Sequence, residues 1–376
     1  MSKKFNLIQI VGARPQIIKS AALSRAVREQ YQTKINLETL HTGQHYDMGM
    51  SDVFFSKMDI DEPYVNLKIG SGNHAEQTAS IMKGCEKEFE TIRPEGVLVY
   101  GDTNSTLAAA LTAYKMNIPV FHVEAGLRSH NLQMPEECNR IAVDHMSTLL
   151  FCPTSTSVLN LESEGINKSD GPYSIKSPGI INSGDIMYDN SLYYSTQASD
   201  DELFNKLGIG SEEFILATCH RPSNVDDQET FRSILESLSW ISSHIAPVVL
   251  PLHPRVQKHK DILNQYSTIE TLHLADPLDY GAIVQLQINC KLVITDSGGV
   301  QKEAFFFRKP CLVLRDETEW MELVDNGNVI LCGNAHESIK KGAIELIDRE
   351  LSFPDFYGDG RSAIRIVDSI LDFHSC

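Results

Sequence analysis

The sequence predicts an α/β protein made of two successive doubly wound domains, with a ligand cleft between them. Three observations carry this. Short apolar runs alternate with helix-length amphipathic segments from end to end. The pattern restarts in the second half, after a stretch of turn formers with little periodicity. The unusual polar residues collect just after the apolar runs, where open parallel sheets bind their ligands.

In chain order, Phe5–Val11 is a short apolar run that stops at Gly12, and the segment 15–30 has Ile17, Ile18, Ala21, Leu23 and Val27 near helical spacing. Strands are predicted at 36–41, at 96–100 before Gly101-Asp102, and at 119–123 before Glu124-Ala125-Gly126, with a helix over 105–115. Another short strand is expected at 149–152. The stretch 167–183, rich in Ser, Pro and Gly, is the candidate boundary. Beyond it, strands are predicted at 214–218 before Cys219-His220-Arg221-Pro222, at 248–252, at 292–295 before Asp296-Ser297-Gly298-Gly299, and at 311–314. Helices are expected at 230–243 and 300–307. Ile364, Ile366, Val367, Ile370 and Leu371 give the tail a helical stripe that would pack back on the first domain. The expected division is 1–180 and 181–360, with a terminal helix over 361–376.

The chain has 376 residues and a formal charge of −17, with 42% hydrophobic and 22% charged residues. These are globular proportions, and a core of this size needs no disulfide or metal. The acidic balance speaks against nucleic acid and anionic membranes, though not against a small anionic ligand held by local positive groups. The eight cysteines form no CxxC pair and mostly sit inside apolar runs, which reads as buried thiols. No secretory signal and no membrane-length apolar stretch is visible, so a cytoplasmic protein is expected.

Four groups of residues could carry chemistry. Gly12-Ala13-Arg14-Pro15, with Lys19 one turn on, opens a helix whose free N–H groups and dipole suit a phosphate. It is neither a GxGxxG fingerprint nor a Walker loop, and a plain strand-to-helix turn would read the same. Asp296-Ser297-Gly298-Gly299 opens a second helix: Asp or Ser caps it, the glycines admit a diphosphate, and Glu303 could take ribose hydroxyls. Asp102 and Glu124 follow apolar strands directly, and Glu136-Glu137 follow Pro135. Acids converging on one cleft can divide proton transfer between them, although caps and salt bridges are the alternative and Asp102 is a fair helix cap. His220-Arg221 ends a strand and could attend a leaving phosphate, or be structural. Metal binding is not expected, because Gly43 argues against a helix that would bring His41 and His45 together.

Together these motifs resemble the non-hydrolysing UDP-N-acetylglucosamine 2-epimerase family. The matching pieces are Gly12-Ala13-Arg14-Pro15 with Lys19, His41-Thr42-Gly43-Gln44-His45, Gly101-Asp102-Thr103-Asn104-Ser105-Thr106 and His122-Val123-Glu124-Ala125-Gly126-Leu127-Arg128. Pro135-Glu136-Glu137, His220-Arg221, Thr295-Asp296-Ser297-Gly298-Gly299 with Glu303, and Tyr357-Gly358-Asp359-Gly360 complete it, in order over nearly the whole chain. The resemblance implies a GT-B architecture of two Rossmann-like domains, a UDP-sugar substrate, no cofactor and a homodimer. It implies Asp102, Glu124 and Glu136 as acid/base groups with His220 beside the phosphates. Arg14, Ser297, Gly298 and Gly299 would hold the diphosphate, Glu303 the ribose, and Lys19 and Arg221 would line the cleft.

The C2 proton of a 2-acetamido sugar is not acidic, so inverting C2 requires transient oxidation or loss of the anomeric UDP. No dinucleotide fingerprint is visible, and elimination to a glycal is expected, as the resemblance also implies. The product would feed surface polysaccharide synthesis. Departures from the family pattern are Gln16 for a usual Glu, Trp320 for a common Arg near the nucleotide, and Ser223 for a Glu of the allosteric second-substrate site of some bacterial members. The last puts such activation in doubt. The stretches 301–307 and 318–324 look more like the subgroup acting on UDP-2,3-diacetamido-2,3-dideoxyglucuronate. A GT-B glycosyltransferase, a hydrolysing 2-epimerase and a non-catalytic nucleotide-sugar binder are the alternatives. The first two differ from the expectation by an acceptor surface and by a different first loop.

Overall fold

The computed structural model describes residues 3–44, 60–196, 201–209 and 213–375. His45, which closes the His41–His45 motif, lies outside these residues. The chain divides into two compact units: Met1–Asn190 with Asp355–Cys376, and Ser191–Pro354.

The first unit is built on a seven-stranded sheet. Its strands are β1 (Phe5–Val11), β2 (Ile35–His41), β3 (Val65–Asn66), β4 (Gly96–Tyr100), β5 (Val120–Val123), β6 (Leu149–Cys152) and β7 (Gly179–Asn182). All neighbours are parallel, in the order β3-β2-β1-β4-β5-β6-β7. Every residue of β4, β5 and β6 is buried, as strands covered by helices on both faces require. The order reverses between β1 and β4, and a reversal opens a crevice at the carboxyl ends of those strands.

Two helices near that crevice pack through complementary surfaces. Helix Asn104–Lys115 buries Ala108, Ala109, Ala110 and Ala113, small side chains that let a neighbour approach closely. Helix His74–Ile92 lies beside it and buries only Gln77, Ile81, Cys85 and Phe89, one residue per turn. Met82 and Ile92 pack half-buried against the same core, and most of the remaining surface is polar, so the apolar stripe that marks this helix is narrow.

The second unit has a six-stranded parallel sheet of β8 (Ile215–Thr218), β9 (Val248–Pro251), β10 (Leu272–Ala275), β11 (Leu292–Thr295), β12 (Cys311–Val313) and β13 (Val329–Leu331). Its order is β10-β9-β8-β11-β12-β13, which reverses between β8 and β11. Helix Gln228–His244 buries Phe231, Ile234, Leu235, Leu238 and Ile241 in the same core as Ile339, Ala343 and Leu346 of helix His336–Ile347.

A division at residue 180 would cut through β7, a strand of the first sheet. The turn-rich stretch before it precedes the last strand of this unit, and the chain leaves the unit only at Asn190. The terminal helix Ser362–Ser375 belongs to the first unit. It buries Ile366, Val367 and Ile370, and Asp189 accepts hydrogen bonds from the N–H groups of Ser362 (3.0 Å) and Ala363 (2.8 Å) at its start. Among the described residues, no helix is long and apolar enough to cross a membrane.

Candidate active site

At the end of β1 the backbone turns through Gly12 into helix Arg14–Ala26, with Pro15 in its first turn. A Cβ on Gly12 would lie 2.1 Å from Ser105 Oγ and 2.4 Å from Thr42 Oγ1, and those hydroxyls are themselves 2.7 Å apart. Only glycine fits. Gly12→Ala is expected to lower stability by about 1–3 kcal/mol, the usual range for overpacking. A urea midpoint equal to that of the wild type would contradict this.

Gln16 closes the same turn. Its carbonyl oxygen accepts from Gly12 N (2.8 Å) and Ala13 N (3.2 Å). Its amide donates to Tyr100 O (2.8 Å) and also meets Thr103 Oγ1 (3.0 Å) and Thr106 Oγ1 (2.9 Å). Tyr100 O can only accept, so a Glu here would set an oxygen against an oxygen. The Gln that stands here for the family's usual Glu therefore matches what the side chain meets. Arg14 is exposed at the helix start.

Beyond β4, Gly101 has φ +62°, and the next helix is capped by Thr103, whose hydroxyl accepts from Thr106 N (3.3 Å). Asp102 is thus not the cap. Its carboxylate pairs with Arg140, while its backbone carbonyl accepts from Asn139 Nδ2 (2.8 Å). Beyond β5, Glu124 has φ +67°, a left-handed conformation uncommon for a side chain of this kind. Its carboxylate is buried and pairs with Lys19. A Cβ on Gly101 would lie 3.4 Å from Glu124 Oε2 and 3.5 Å from Lys19 Nζ, so these groups meet beside the turn that carries Asp102.

The two acids at 136 and 137 differ completely. Glu136 is exposed in the first turn of helix Pro135–Asp144. Glu137 is 1% exposed and accepts from Ser129 N, Ser129 Oγ and His130 N. It also pairs with Arg140 (2.9 Å), the residue that holds Asp102. Burial pushes the Glu137 carboxyl up, but these donors outweigh it and hold the group below its usual range.

Behind both strand ends lies a buried polar chain. His122, fully buried on β5, has Nε2 2.8 Å from Gly101 O and Nδ1 2.7 Å from Asp144 Oδ1. Asp144 also accepts from Gly126 N (3.2 Å) and pairs with Arg128 (2.8 Å). Burial opposes the charge of Asp144, but His122 and Arg128 outweigh it and hold the carboxyl low.

In the second unit, Ser297 caps helix Gly298–Phe306, and Asp296 takes another role. Fully buried, Asp296 accepts from His220 N (2.9 Å), Arg221 N (2.9 Å) and Asn224 Nδ2 (3.2 Å), tying the end of β8 to the end of β11. His220 Nδ1 lies 3.2 Å from the same carboxylate, and its ring packs on His253. Gln301 Nε2 is buried without a hydrogen-bond partner among the described residues. It lies 3.8 Å from where a Cβ on Gly298 would be. A Cβ on Gly298 would meet Gln301, Glu319 and Arg315 at 3.8–3.9 Å and one on Gly299 would meet Ser297 at 3.9 Å, ordinary contacts that polar side-chain atoms supply at this helix start. Glu303 is buried one turn on, where Tyr280 Oη donates to it (2.7 Å) and so does Gln287 Nε2 (2.9 Å). Lys302 places its ammonium 3.9 Å over the ring of Trp320.

The structure thus gathers Lys19, Asp102 and Glu124 around one crevice, and His220, Arg221, Ser297, Gly298, Gly299 and Glu303 around the other. Sequence reasoning missed Arg140, Gln16 and His122 as organising residues. Of these, His122 carried a visible signal as a lone polar residue inside an apolar strand and Gln16 as a departure from the family's Glu, whereas Arg140 carried none.

Two doubly wound parallel units, each with its polar residues at the strand-order reversal, define a GT-B-type α/β protein. The chain belongs to the UDP-N-acetylglucosamine 2-epimerase family, whose sequence profile matches residues 27–371. It is 42% identical over 364 residues to the UDP-2,3-diacetamido-2,3-dideoxy-D-glucuronate 2-epimerase of Pseudomonas aeruginosa, covering 96% of this chain and 98% of that one. It is 40% identical over 367 residues to a UDP-N-acetylglucosamine 2-epimerase homolog of Methanococcus maripaludis, covering 96% and 98%. The crystal structure of Methanocaldococcus jannaschii UDP-GlcNAc 2-epimerase in complex with UDP-GlcNAc and UDP superposes with a TM-score of 0.85 at 34% identity, covering 98% of this chain and 100% of that one.

Proposed function

We propose that this enzyme inverts C2 of a UDP-2-acetamido sugar by anti elimination of UDP and its re-addition. The sugar is UDP-N-acetylglucosamine or its 2,3-diacetamido glucuronate analogue, the two substrates named among the relatives. The observation that carries the reading is the pair of carboxylates past adjacent strands, Asp102 after β4 and Glu124 after β5, each paired with a basic side chain, Arg140 and Lys19.

The chemistry needs two such groups. One carboxylate takes the proton from C2 as the C1–O bond breaks and its electron pair leaves with UDP, giving a C1=C2 glycal. UDP oxygen then re-forms the bond to C1 while a second acid delivers a proton to the other face of C2. A single group cannot serve both faces, and carboxylates in unlike environments can divide the two roles. Glu136, exposed at the start of its helix, is the third candidate acid.

The second unit takes the leaving group. The Ser297–Gly299 turn and Gln301 Nε2, which has no partner among the described residues, offer donors to a diphosphate, and Arg14 is the cation that the family resemblance assigns to it. Glu303, a buried carboxylate that Tyr280 and Gln287 hold in place, would accept from the ribose hydroxyls. His220, held by Asp296, would attend the departing phosphate. On this reading the chain works in the cytoplasm as a homodimer and supplies a surface polysaccharide precursor.

The test is turnover of each UDP-sugar in deuterated water without added cofactor. Product with deuterium at C2 is expected. Product without solvent label would overturn elimination, and absence of turnover with the UDP-sugar alone would favour a transferase.

A further inference from the structure

The geometry points to His122 as a positioning residue for the acid–base chemistry, acting through the Gly101 carbonyl to set the turn that carries Asp102. This rests on the proposed roles of Asp102 and Glu124.

Gly101 O can only accept, so Nε2 of His122 donates to it, and Nδ1 donates to the Asp144 carboxylate. The imidazole is therefore bonded at both ends, and its rotation is blocked. One end holds the residue before Asp102. The other holds Asp144, which also binds Gly126 N, two residues past Glu124. His122 itself lies on β5, two residues before Glu124. A single buried link thus grips the turns of both acids while touching neither carboxylate. Gly101 and Glu124 both have positive φ, so the chain turns away from its strand at each; backbone bonds from Gly101 N to Val123 O (2.9 Å) and Ala125 N to Phe151 O (3.1 Å) hold the two turns, and the His122–Asp144 link adds a side-chain tether to both.

Two amide substitutions separate the two ends. The amide nitrogen of Gln reaches the position of imidazole Nε2, and that of Asn the position of Nδ1. His122→Gln keeps the bond to Gly101 and gives up Asp144. His122→Asn keeps Asp144 and gives up Gly101. If His122 serves only to satisfy the buried Asp144, Asn is the milder change in every respect. If it positions Asp102, the orders split: Gln is the less stable variant and the more active one. The expected result is a kcat loss of about 10- to 100-fold for His122→Asn, the usual consequence of a misplacement near 1 Å. A much smaller loss is expected for His122→Gln. UDP affinity should be unchanged in both, because the bonds of His122 run to Gly101 and Asp144 and to none of the groups proposed to hold the nucleotide.

The experiment measures kcat, UDP affinity by calorimetry and the urea midpoint for both variants, with Asp102→Asn and Glu124→Gln alongside. Asn equal to or more active than Gln would overturn the proposal, as would kcat losses that follow stability. If Asp102→Asn and Glu124→Gln leave turnover intact, the acid–base reading has failed rather than this inference alone. Should both His122 variants fail to fold, nitrogen-15 NMR of the wild type decides. Both ring protons are expected to stay protected from solvent when UDP-sugar is added. Exposure of the Nε2 proton on addition would overturn the proposal.

Discussion

Asp102→Asn is expected to reduce turnover by about 10²- to 10⁴-fold, the range for losing a general acid or base, while UDP binding is left intact. The substitution is informative because so little else changes. Thr103 caps the following helix, so no helix start depends on Asp102. The Asn139 amide binds the backbone carbonyl of residue 102, which any side chain retains. The oxygen of the new amide can still accept from Arg140, so the crevice keeps its shape and loses only a group able to exchange a proton. Unchanged turnover, measured by the C2 proton signal in NMR, would show that Asp102 is not an acid–base group. A loss of turnover with an equal loss of UDP affinity would show that it holds substrate instead. Glu124→Gln is the matched control, since it leaves Lys19 without its ionic partner.

The strand ends were readable because a parallel strand buried on both faces has to be apolar throughout. A glycine or a charge therefore marks its end sharply, as at Gly12, Gly101-Asp102, Glu124 and Asp296. The partners of those residues were not readable, because they come from elsewhere in the chain. Gln16 reaches Tyr100 across 84 residues, and Arg140 reaches Asp102 across 38. Helix phase was the second obstacle. Glu136 and Glu137 are alike in sequence, yet the turn faces one outward and the other into a nest of donors. Helix His74–Ile92 is hard to read for a related reason: only four of its residues are buried, and its narrow apolar stripe lies beside a mostly polar surface. The boundary near residue 180 was misplaced because turn formers before β7 read like a linker, whereas they lead into one more strand of the same sheet.

Glu137→Gln is expected to be the most destabilising of the substitutions considered, by about 3–5 kcal/mol, as when one partner of a buried ion pair is removed. Glu137 presents two oxygens to donors only: Ser129 N, Ser129 Oγ, His130 N and Arg140 Nη1. Gln keeps one acceptor and turns an NH2 group toward the rest, so hydrogen bonds are lost and like groups are opposed. The pH dependence follows from the direction of the shift. The folded chain holds the Glu137 carboxyl below its ordinary value of 4.5, so between those two values the unfolded chain binds the proton that the folded chain does not. The stabilisation is then fully present above 4.5 and disappears as pH falls through the lower, folded value. Urea midpoints of wild type and variant should differ by a constant amount at neutral pH and converge on acidification. A gap that stays constant into acid would mean that the charge of Glu137 is not what stabilises the turn. The same substitution reaches the chemistry through Arg140, which bridges Glu137 and Asp102 with its two terminal nitrogens. Freed from Glu137, that guanidinium can follow Asp102 instead of fixing it. The variant should therefore lose kcat at neutral pH even where it remains folded, and a folded variant with wild-type kcat would separate the stability of this turn from its role in placing the acid.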